Sequence, residues 1–211
     1  MQKPFMLKLI WDNRKNGGIK MANSKIIIVE GAQGAGKTTI TDFLRYSVKY
    51  TNLYRLTGTA DSSEEGKKKA TIMYRNLMTY IKTLENLSIN LLFDRTFFTE
   101  EIYCRLGFKE YSFTDVYEEL LENLSKMDFE IYYITLYLQD ESLFEERIKR
   151  EGKAVPEYAK FKAESSINQQ RAYLKMSDEI KKKYPNIHVA NIENSRDIEV
   201  VEKELKELLG E

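Results

Sequence analysis

A short glycine-rich stretch near the start of the chain has the residue types and spacing of a phosphate-binding loop. Residues 31–38 match the pattern G-x-x-x-x-G-K-[ST] at every fixed position, after a β-branched run and before a helical pattern. Glycines let backbone N–H groups converge on phosphate oxygens, and the helix N-terminus adds a favourable dipole. The sequence therefore predicts polyphosphate binding here. The residues predicted to bind the phosphates of ATP are Gly31, Ala32, Gln33, Gly34, Ala35, Gly36, Lys37, Thr38 and Thr39.

Two side chains of this loop have more specific expected roles. Lys37 should reach the β- and γ-phosphates of ATP, and the hydroxyl of Thr38 should ligate Mg²⁺. A loop of this kind occurs in kinases, switches and motors alike, so other parts of the chain must distinguish these classes.

A polar pair, Asp94 and Arg95, follows the apolar run of residues 91–93. Ligands of parallel α/β sheets bind at the carboxyl ends of the strands. A carboxylate there can hold Mg²⁺ or its water ligands, and an arginine can hold a phosphate through two hydrogen bonds. A plain ion pair at a strand end is the alternative. Beside a phosphate loop we favour catalytic roles for both residues, with Asp94 also a metal ligand.

The elements that would position these residues are short apolar runs separated by longer helical patterns. The predicted strands are 26–29, 53–56, 89–93, 131–138 and 187–191, and the predicted helices are 38–49, 64 to about 87, 114–127, 142–150, 157–183 and 196–209. Crossover helices of this length imply a parallel sheet covered on both faces. We therefore predict one domain over residues 25–211, with the three-layer α/β/α fold of the P-loop NTPases and a five-stranded parallel sheet; the helical lid of this prediction follows only from a resemblance described below.

Composition limits the remaining classes. The chain has 211 residues, and 33 basic side chains balance 33 acidic ones, so nucleic-acid binding is not expected, although a local basic groove remains open. No apolar run reaches the roughly 20 residues of a membrane span. One cysteine and one histidine leave no material for a Cys- or His-based metal cluster. We expect a cytoplasmic protein.

Residues 1–24 show neither a helical nor a strand period, and no signal-peptide pattern. Residues 17–21, Gly-Gly-Ile-Lys-Met, can be encoded by a purine-rich ribosome-binding signal followed by a start codon. We therefore hypothesise that translation begins at Met21. A disordered N-terminal arm is the alternative.

The stretches IVEGAQGAGKTT and DRTFFTEEIY together resemble the thymidylate kinase and deoxynucleoside kinase superfamily. Thymidylate kinases carry E-G-x-x-G-x-G-K-[ST]-T and then D-R-Y-x-x-S-x-x-A-Y, and this chain has Thr99 at the serine position and Tyr103 at the tyrosine position. The resemblance implies an ATP-dependent kinase whose acceptor nucleotide contacts Arg95 and Arg75, the latter on the helix before the third strand. Phe97, Phe98 and Tyr103 could stack a base, although aromatic residues there equally often fill a core.

The basic segment 144–161 carries Arg147, Lys149, Arg150 and Lys153 before a Gly/Pro-marked loop. The resemblance implies that it is a lid whose arginines neutralise charge on the transferring phosphoryl group. Gln33, in place of arginine in the phosphate loop, fits the subtype that keeps its basic residues in the lid. An amphipathic helix with a solvated basic face is the alternative.

Two further positions follow from the resemblance. Tyr173 matches a tyrosine that follows the lid, and residues 191–195 lie where the family surrounds adenine. A homodimer is also compatible with the resemblance, since relatives often dimerise.

The chain departs from the family after the second strand. An acid is expected there, but the sequence has Leu56, and Asp61 is a possible substitute from the loop. A nucleoside hydroxyl benefits from a base, whereas an acceptor that is already a phosphate needs only positioning and charge neutralisation. We therefore predict phosphoryl transfer to a nucleoside monophosphate. A deoxynucleoside kinase, a polynucleotide kinase and a nucleotide-binding switch without transfer activity are the alternatives.

Overall fold

The computed structural model describes residues 24–150 and 163–211, and its centre is a five-stranded parallel sheet. The strand order is β2-β3-β1-β4-β5, which places β1 in the middle. This arrangement confirms the predicted α/β class and parallel sheet. The strands are β1 (Lys25–Gly31), β2 (Thr51–Arg55), β3 (Asn90–Asp94), β4 (Glu130–Tyr137) and β5 (Ile187–Glu193).

Seven helices connect and cover these strands within the described residues. They are α1 (Lys37–Ser47), α2 (Glu64–Thr83), α3 (Phe97–Arg105), α4 (Thr114–Ser125), α5 (Leu143–Arg150), α6 (Ala163–Lys183) and α7 (Ile198–Leu209). The sequence did not predict α3. Its first six residues, Phe97–Ile102, are all buried although three of them are polar, so burial does not follow the apolar period on which the prediction relied.

Alternate residues of β1 face two separate apolar cores. Ile26 and Ile28 pack toward α2, α3, α4 and α6, whereas Ile27 and Val29 pack toward α1 and α7. Side chains of a strand alternate between its faces, so a strand covered on both sides reads as the uninterrupted run IIIV. The three-layer arrangement is therefore as predicted.

Parts of the sequence-based interpretation lie outside the described residues. These are the N-terminal extension up to residue 23, with the start at Met21, and residues 151–161 of the lid, including Lys153. No helix within 24–150 or 163–211 is long and apolar enough to cross a membrane.

Candidate active site

The phosphate loop follows β1, and its glycines have backbone conformations and surroundings that exclude other residues. Gly31 has a φ of 146°, and a Cβ there would lie 2.7 Å from the carbonyl oxygen of Leu136. Gly36 has a φ of 89°, and a Cβ would collide with the side-chain amide of Asn194. The two fixed glycines of the pattern are therefore required by geometry as well as by phosphate access.

Lys37 begins α1 and lies against its own loop. Its ammonium group donates hydrogen bonds to the carbonyl oxygens of Gly31 (2.7 Å) and Ala32 (2.8 Å), and the side chain is buried. Thr38 and Thr39 follow in the first turn of the helix and are exposed. The loop, its lysine and the helix N-terminus thus stand together as the motif requires.

Asn194 and Arg147 hold the loop from outside. The amide of Asn194 donates to the carbonyl of Ala35 (2.7 Å). The guanidinium of Arg147 donates to the carbonyls of Asn194 (2.7 Å) and Gly34 (3.4 Å). Arg147 was predicted as a lid residue, and the structure places it in contact with the phosphate loop. The side chain of Arg150, the other predicted lid arginine, lies outside the described part of the chain.

Asp94 and Arg95 stand beside the loop because β3 is the direct neighbour of β1. Asp94 lies opposite Val29 in the strand register, and the backbone N–H of Arg95 donates to the carbonyl of Val29 (3.2 Å). Arg95 has a φ of 69°, a left-handed conformation that arginine rarely adopts. Such strained residues cluster at functional sites. Asp94 is buried, and its carboxylate lies 3.5 Å from the guanidinium of Arg55.

Glu30, the last residue before the loop, is a fully buried carboxylate. Its Oε1 accepts from the backbone N–H of Thr96 (2.8 Å) and from its hydroxyl (3.3 Å), and its Oε2 accepts from Thr99 (2.7 Å). Burial raises the pKa of Glu30 to about 7, although these hydrogen bonds and the cations of Lys37 and Arg95 oppose that rise. Glu30 thus lies in the field of the two cations that the sequence assigned to the donor and the acceptor.

The charge of Arg95 is stabilised by its neighbours. Burial tends to lower the pKa of its guanidinium, but Coulombic interactions with Tyr103, Tyr173, Glu30 and Asp94 give a net rise. Tyr103, a predicted acceptor contact, therefore lies close enough to interact with this guanidinium, and Thr99 is one turn earlier on α3.

A buried ion pair fastens the loop after β2 to α3. Lys109 donates to the carbonyl of Thr59 and lies 3.4 Å from the carboxylate of Glu100, which also accepts from Tyr111 (2.5 Å). A Cβ at Gly58 would lie 2.5 Å from the same carboxylate. The segment that departs from the family motif is thus held against the helix that carries Thr99.

Two predicted acceptor residues are placed elsewhere. Arg75 lies on the outer face of α2 and forms a two-pronged ion pair with Glu119 on α4 (2.9 and 2.5 Å). Phe98 is buried in the core, where its ring packs on Phe97 and Tyr133. Neither side chain is brought to Arg95, because α2 turns Tyr74 inward and Arg75 outward, and the first turn of α3 is enclosed by the core.

The residues predicted to hold Mg²⁺ fit that ion chemically. Mg²⁺ is typically bound by one or two protein oxygen ligands together with substrate phosphates and water. Thr38 offers a hydroxyl at the start of α1, and Asp94 offers a carboxylate on the strand next to the loop.

Sequence reasoning assigned no role to Glu30 or Gln169 and named Asn194 only within the range 191–195. Gln169, on α6, accepts from the backbone N–H of Gln33 in the phosphate loop (3.4 Å). The available signals were an acid that ends an apolar strand and a Gln-Gln pair one turn before Tyr173. Neither signal names a partner, because each partner comes from a distant part of the chain.

Solved kinase structures share this fold at low sequence identity. The thymidylate kinase from Candida albicans gives a TM-score of 0.64 at 15% identity, over 90% of this chain and 93% of that chain. The deoxyadenosine kinase from M. mycoides, with the products dCMP and a flexible dCDP bound, gives 0.61 at 19% identity, over 88% and 98%. The same enzyme with bound dCTP gives 0.55 at 20% identity, again over 88% and 98%.

These comparisons confirm, at the level of the fold, the resemblance found in the sequence. The chain has the fold of the P-loop nucleoside and nucleotide kinases, thymidylate kinase and deoxyadenosine kinase among them. No protein-family model matches the sequence, and no curated protein matches it.

Proposed function

We propose that this protein is a kinase that transfers the γ-phosphoryl group of ATP to a nucleoside monophosphate. The observation that carries the proposal is the neighbouring position of two motifs. The phosphate loop follows β1, Asp94-Arg95 ends β3, and the register of these strands sets Val29 opposite Asp94. Two phosphate-binding groups at adjacent strand ends suit a donor and an acceptor that meet between them.

On the donor side, the loop amides and Lys37 bind the ATP phosphates. Thr38 and Asp94 hold the Mg²⁺ ion, which neutralises charge on the phosphates when bound. Arg147 contacts the loop at Gly34, so its positive charge lies beside the proposed site of the ATP phosphates, where it can stabilise charge that develops on the transferring group. Arg150 is proposed to assist from the end of α5.

On the acceptor side, Arg95 binds the monophosphate. Its backbone is anchored beside the loop, where its N–H donates to the carbonyl of Val29 (3.2 Å), so the side chain starts from a fixed point next to the proposed donor site. Tyr103 completes the proposed acceptor site, and Thr99 supports it from the interior, because its hydroxyl is directed to Glu30 (2.7 Å). Arg75 has no part in this proposal, because its guanidinium is engaged by Glu119.

A phosphate acceptor is favoured over a hydroxyl because the loop after β2 offers no effective base. Leu56 packs against the apolar core, and its N–H extends the pairing of β2 with Asp94. Asp61 accepts hydrogen bonds from Ser63 and Lys69, which hold the pKa of its carboxyl well below the usual range. A carboxylate of such low pKa is a poor general base for a nucleoside hydroxyl.

A deoxynucleoside acceptor is the second candidate. The deoxyadenosine kinase from M. mycoides has the same fold, and the match covers 98% of that chain. Burial is the largest cause of the raised pKa of Tyr103, and the buried carboxylates Glu30 and Glu100 both interact with Tyr103 and raise its pKa further. These two carboxylates are candidates for the base in that reaction.

The test is a transfer assay with ATP and Mg²⁺ against nucleosides, nucleoside monophosphates and a DNA oligomer, read by mass spectrometry. The expected product is a nucleoside diphosphate, with no change in the nucleosides or the oligomer. Lys37→Ala is the matched control and should remove transfer while the protein stays folded. Transfer to nucleosides alone would replace the first candidate by the second, and ATP hydrolysis without an acceptor would indicate a switch.

A further inference from the structure

A chain of three buried groups connects α6 to the beginning of the phosphate loop. The hydroxyl of Tyr173 lies 2.8 Å from the hydroxyl of Thr99, and Thr99 donates to the carboxylate of Glu30 (2.7 Å). When Glu30 is ionised, the single proton of Thr99 is directed to its carboxylate, and Tyr173 then donates to Thr99. All three side chains are at most 3% exposed.

Each member of this chain comes from a different element of the site. Glu30 ends the strand that leads into the phosphate loop, Thr99 is in the first turn of α3 directly after Asp94-Arg95, and Tyr173 is on α6. The other oxygen of Glu30 accepts from the backbone of Thr96 at the N-terminus of α3 (2.8 Å). The chain therefore joins the proposed donor side to the proposed acceptor side through one carboxylate.

α6 is itself fixed to the sheet and to the loop. The side-chain amide of Gln170 exchanges two hydrogen bonds with the backbone of Leu138 (2.7 and 3.0 Å). One residue earlier, Gln169 accepts from the backbone of Gln33 (3.4 Å). Tyr173 thus extends from a helix that is held in place, so it can act as a fixed reference for Thr99.

We propose that Tyr173 and Thr99 are positioning residues that hold Glu30, and through it the Asp94-Arg95 segment, at a fixed distance from the phosphate loop. They act through Glu30 and contact neither the transferred group nor ATP. Glu30 also holds the backbone N–H of Thr96, the residue after Arg95 (2.8 Å), so a shift of its carboxylate moves the segment that carries Arg95 relative to the loop that carries Lys37. This inference rests on the proposed function.

The consequence is a selective loss of the transfer step. The phosphate loop is held independently by Asn194 and Arg147, so the affinity for ATP should survive the loss of the Thr99 hydroxyl. The alignment of the two substrates should not survive it, because small misplacements reduce the rate far more than binding.

The test uses Thr99→Val, which removes the hydroxyl and keeps the shape, and Thr99→Ser, which keeps the hydroxyl. We expect Thr99→Val to lower kcat by about tenfold, the effect of one hydrogen bond to a charged group, with the KM for ATP unchanged. Thr99→Ser should restore most of the kcat that Thr99→Val loses, because it keeps the hydroxyl that bonds to Glu30. Tyr173→Phe provides a second route, and the double variant with Thr99→Val should fall no further than the lower single variant.

Ser177→Ala is the matched control for stability. Ser177 lies one turn after Tyr173 on the same helix, and its hydroxyl bonds to that of Thr135 (2.7 Å), a strand neighbour of Glu30. Ser177→Ala loses a buried hydroxyl–hydroxyl bond of the same kind, so its melting temperature should fall about as much as those of Thr99→Val and Tyr173→Phe. Only Thr99→Val and Tyr173→Phe should also lose kcat. Suppose that the wild type is active and kcat is unchanged in both Thr99→Val and Tyr173→Phe, or that Ser177→Ala loses as much kcat as they do. Either result would overturn the inference and leave the proposed function standing. A wild type that transfers to no acceptor would refute the proposed function, and the inference with it.

Discussion

Replacement of Glu30 by Gln should change how the stability of the protein depends on pH. Burial raises the pKa of this carboxyl from 4.5 to about 7, so between these pH values the folded chain holds a proton that the unfolded chain has released. The folded state is therefore favoured at low pH, and its advantage is lost as pH rises through about 7. A rise of this size corresponds to roughly 3 kcal/mol across the interval.

Gln removes the titration but keeps an oxygen for the backbone N–H of Thr96. Urea unfolding gives the unfolding free energies of wild type and Glu30→Gln across this pH interval. The contributions of the carboxylates that both proteins share cancel in the difference between them. We expect the wild type to lose about 3 kcal/mol relative to the variant as pH rises. A difference in unfolding free energy that does not change with pH would refute the conclusion that burial dominates the pKa of Glu30. A difference of opposite sign would mean that Lys37 and Arg95 outweigh it.

Three further predictions concern residues around the site. Asn194→Ala loses the hydrogen bond to the Ala35 carbonyl, so ATP affinity measured by calorimetry should fall by about tenfold, with a modest loss of melting temperature. Unchanged affinity would contradict the role of Asn194 in holding the phosphate loop. Arg75→Ala breaks an exposed ion pair worth under about 1 kcal/mol and should leave the acceptor KM unchanged, whereas a large rise in KM would restore its predicted contact. Phe98→Ala should lower the unfolding free energy by about 3–5 kcal/mol in urea titration, and a smaller loss would contradict its place in the core.

The sheet and the phosphate loop were predictable because their signals are local. An uninterrupted β-branched strand, a spaced glycine pattern and a following helix occupy residues 26–47 without a break. The position of Asp94-Arg95 followed from a rule about strand ends that holds wherever a parallel sheet forms.

The contacts between distant segments were not predictable. Nothing in the sequence shows that α2 turns Arg75 outward to Glu119, 44 residues away. The same holds for the bond from Tyr173 to Thr99, whose positions differ by 74. The first six residues of α3 are all buried, polar and apolar alike, so the helix gave no period. Its aromatic residues were therefore left between base contacts and core, and packing places Phe98 in the core. Pairings of this kind are decided by packing after the elements form.

We propose that a donor site at Lys37 and an acceptor site at Arg95 form one transfer site. Transfer of γ-labelled phosphate from ATP to a nucleoside monophosphate, measured together with ATP binding in Lys37→Ala and Arg95→Ala, tests it most directly. We expect labelled nucleoside diphosphate from the wild type and none from either variant. ATP binding should be weakened in Lys37→Ala and kept in Arg95→Ala. Unchanged transfer in Arg95→Ala, or no labelled acceptor with the wild type, would contradict the proposal.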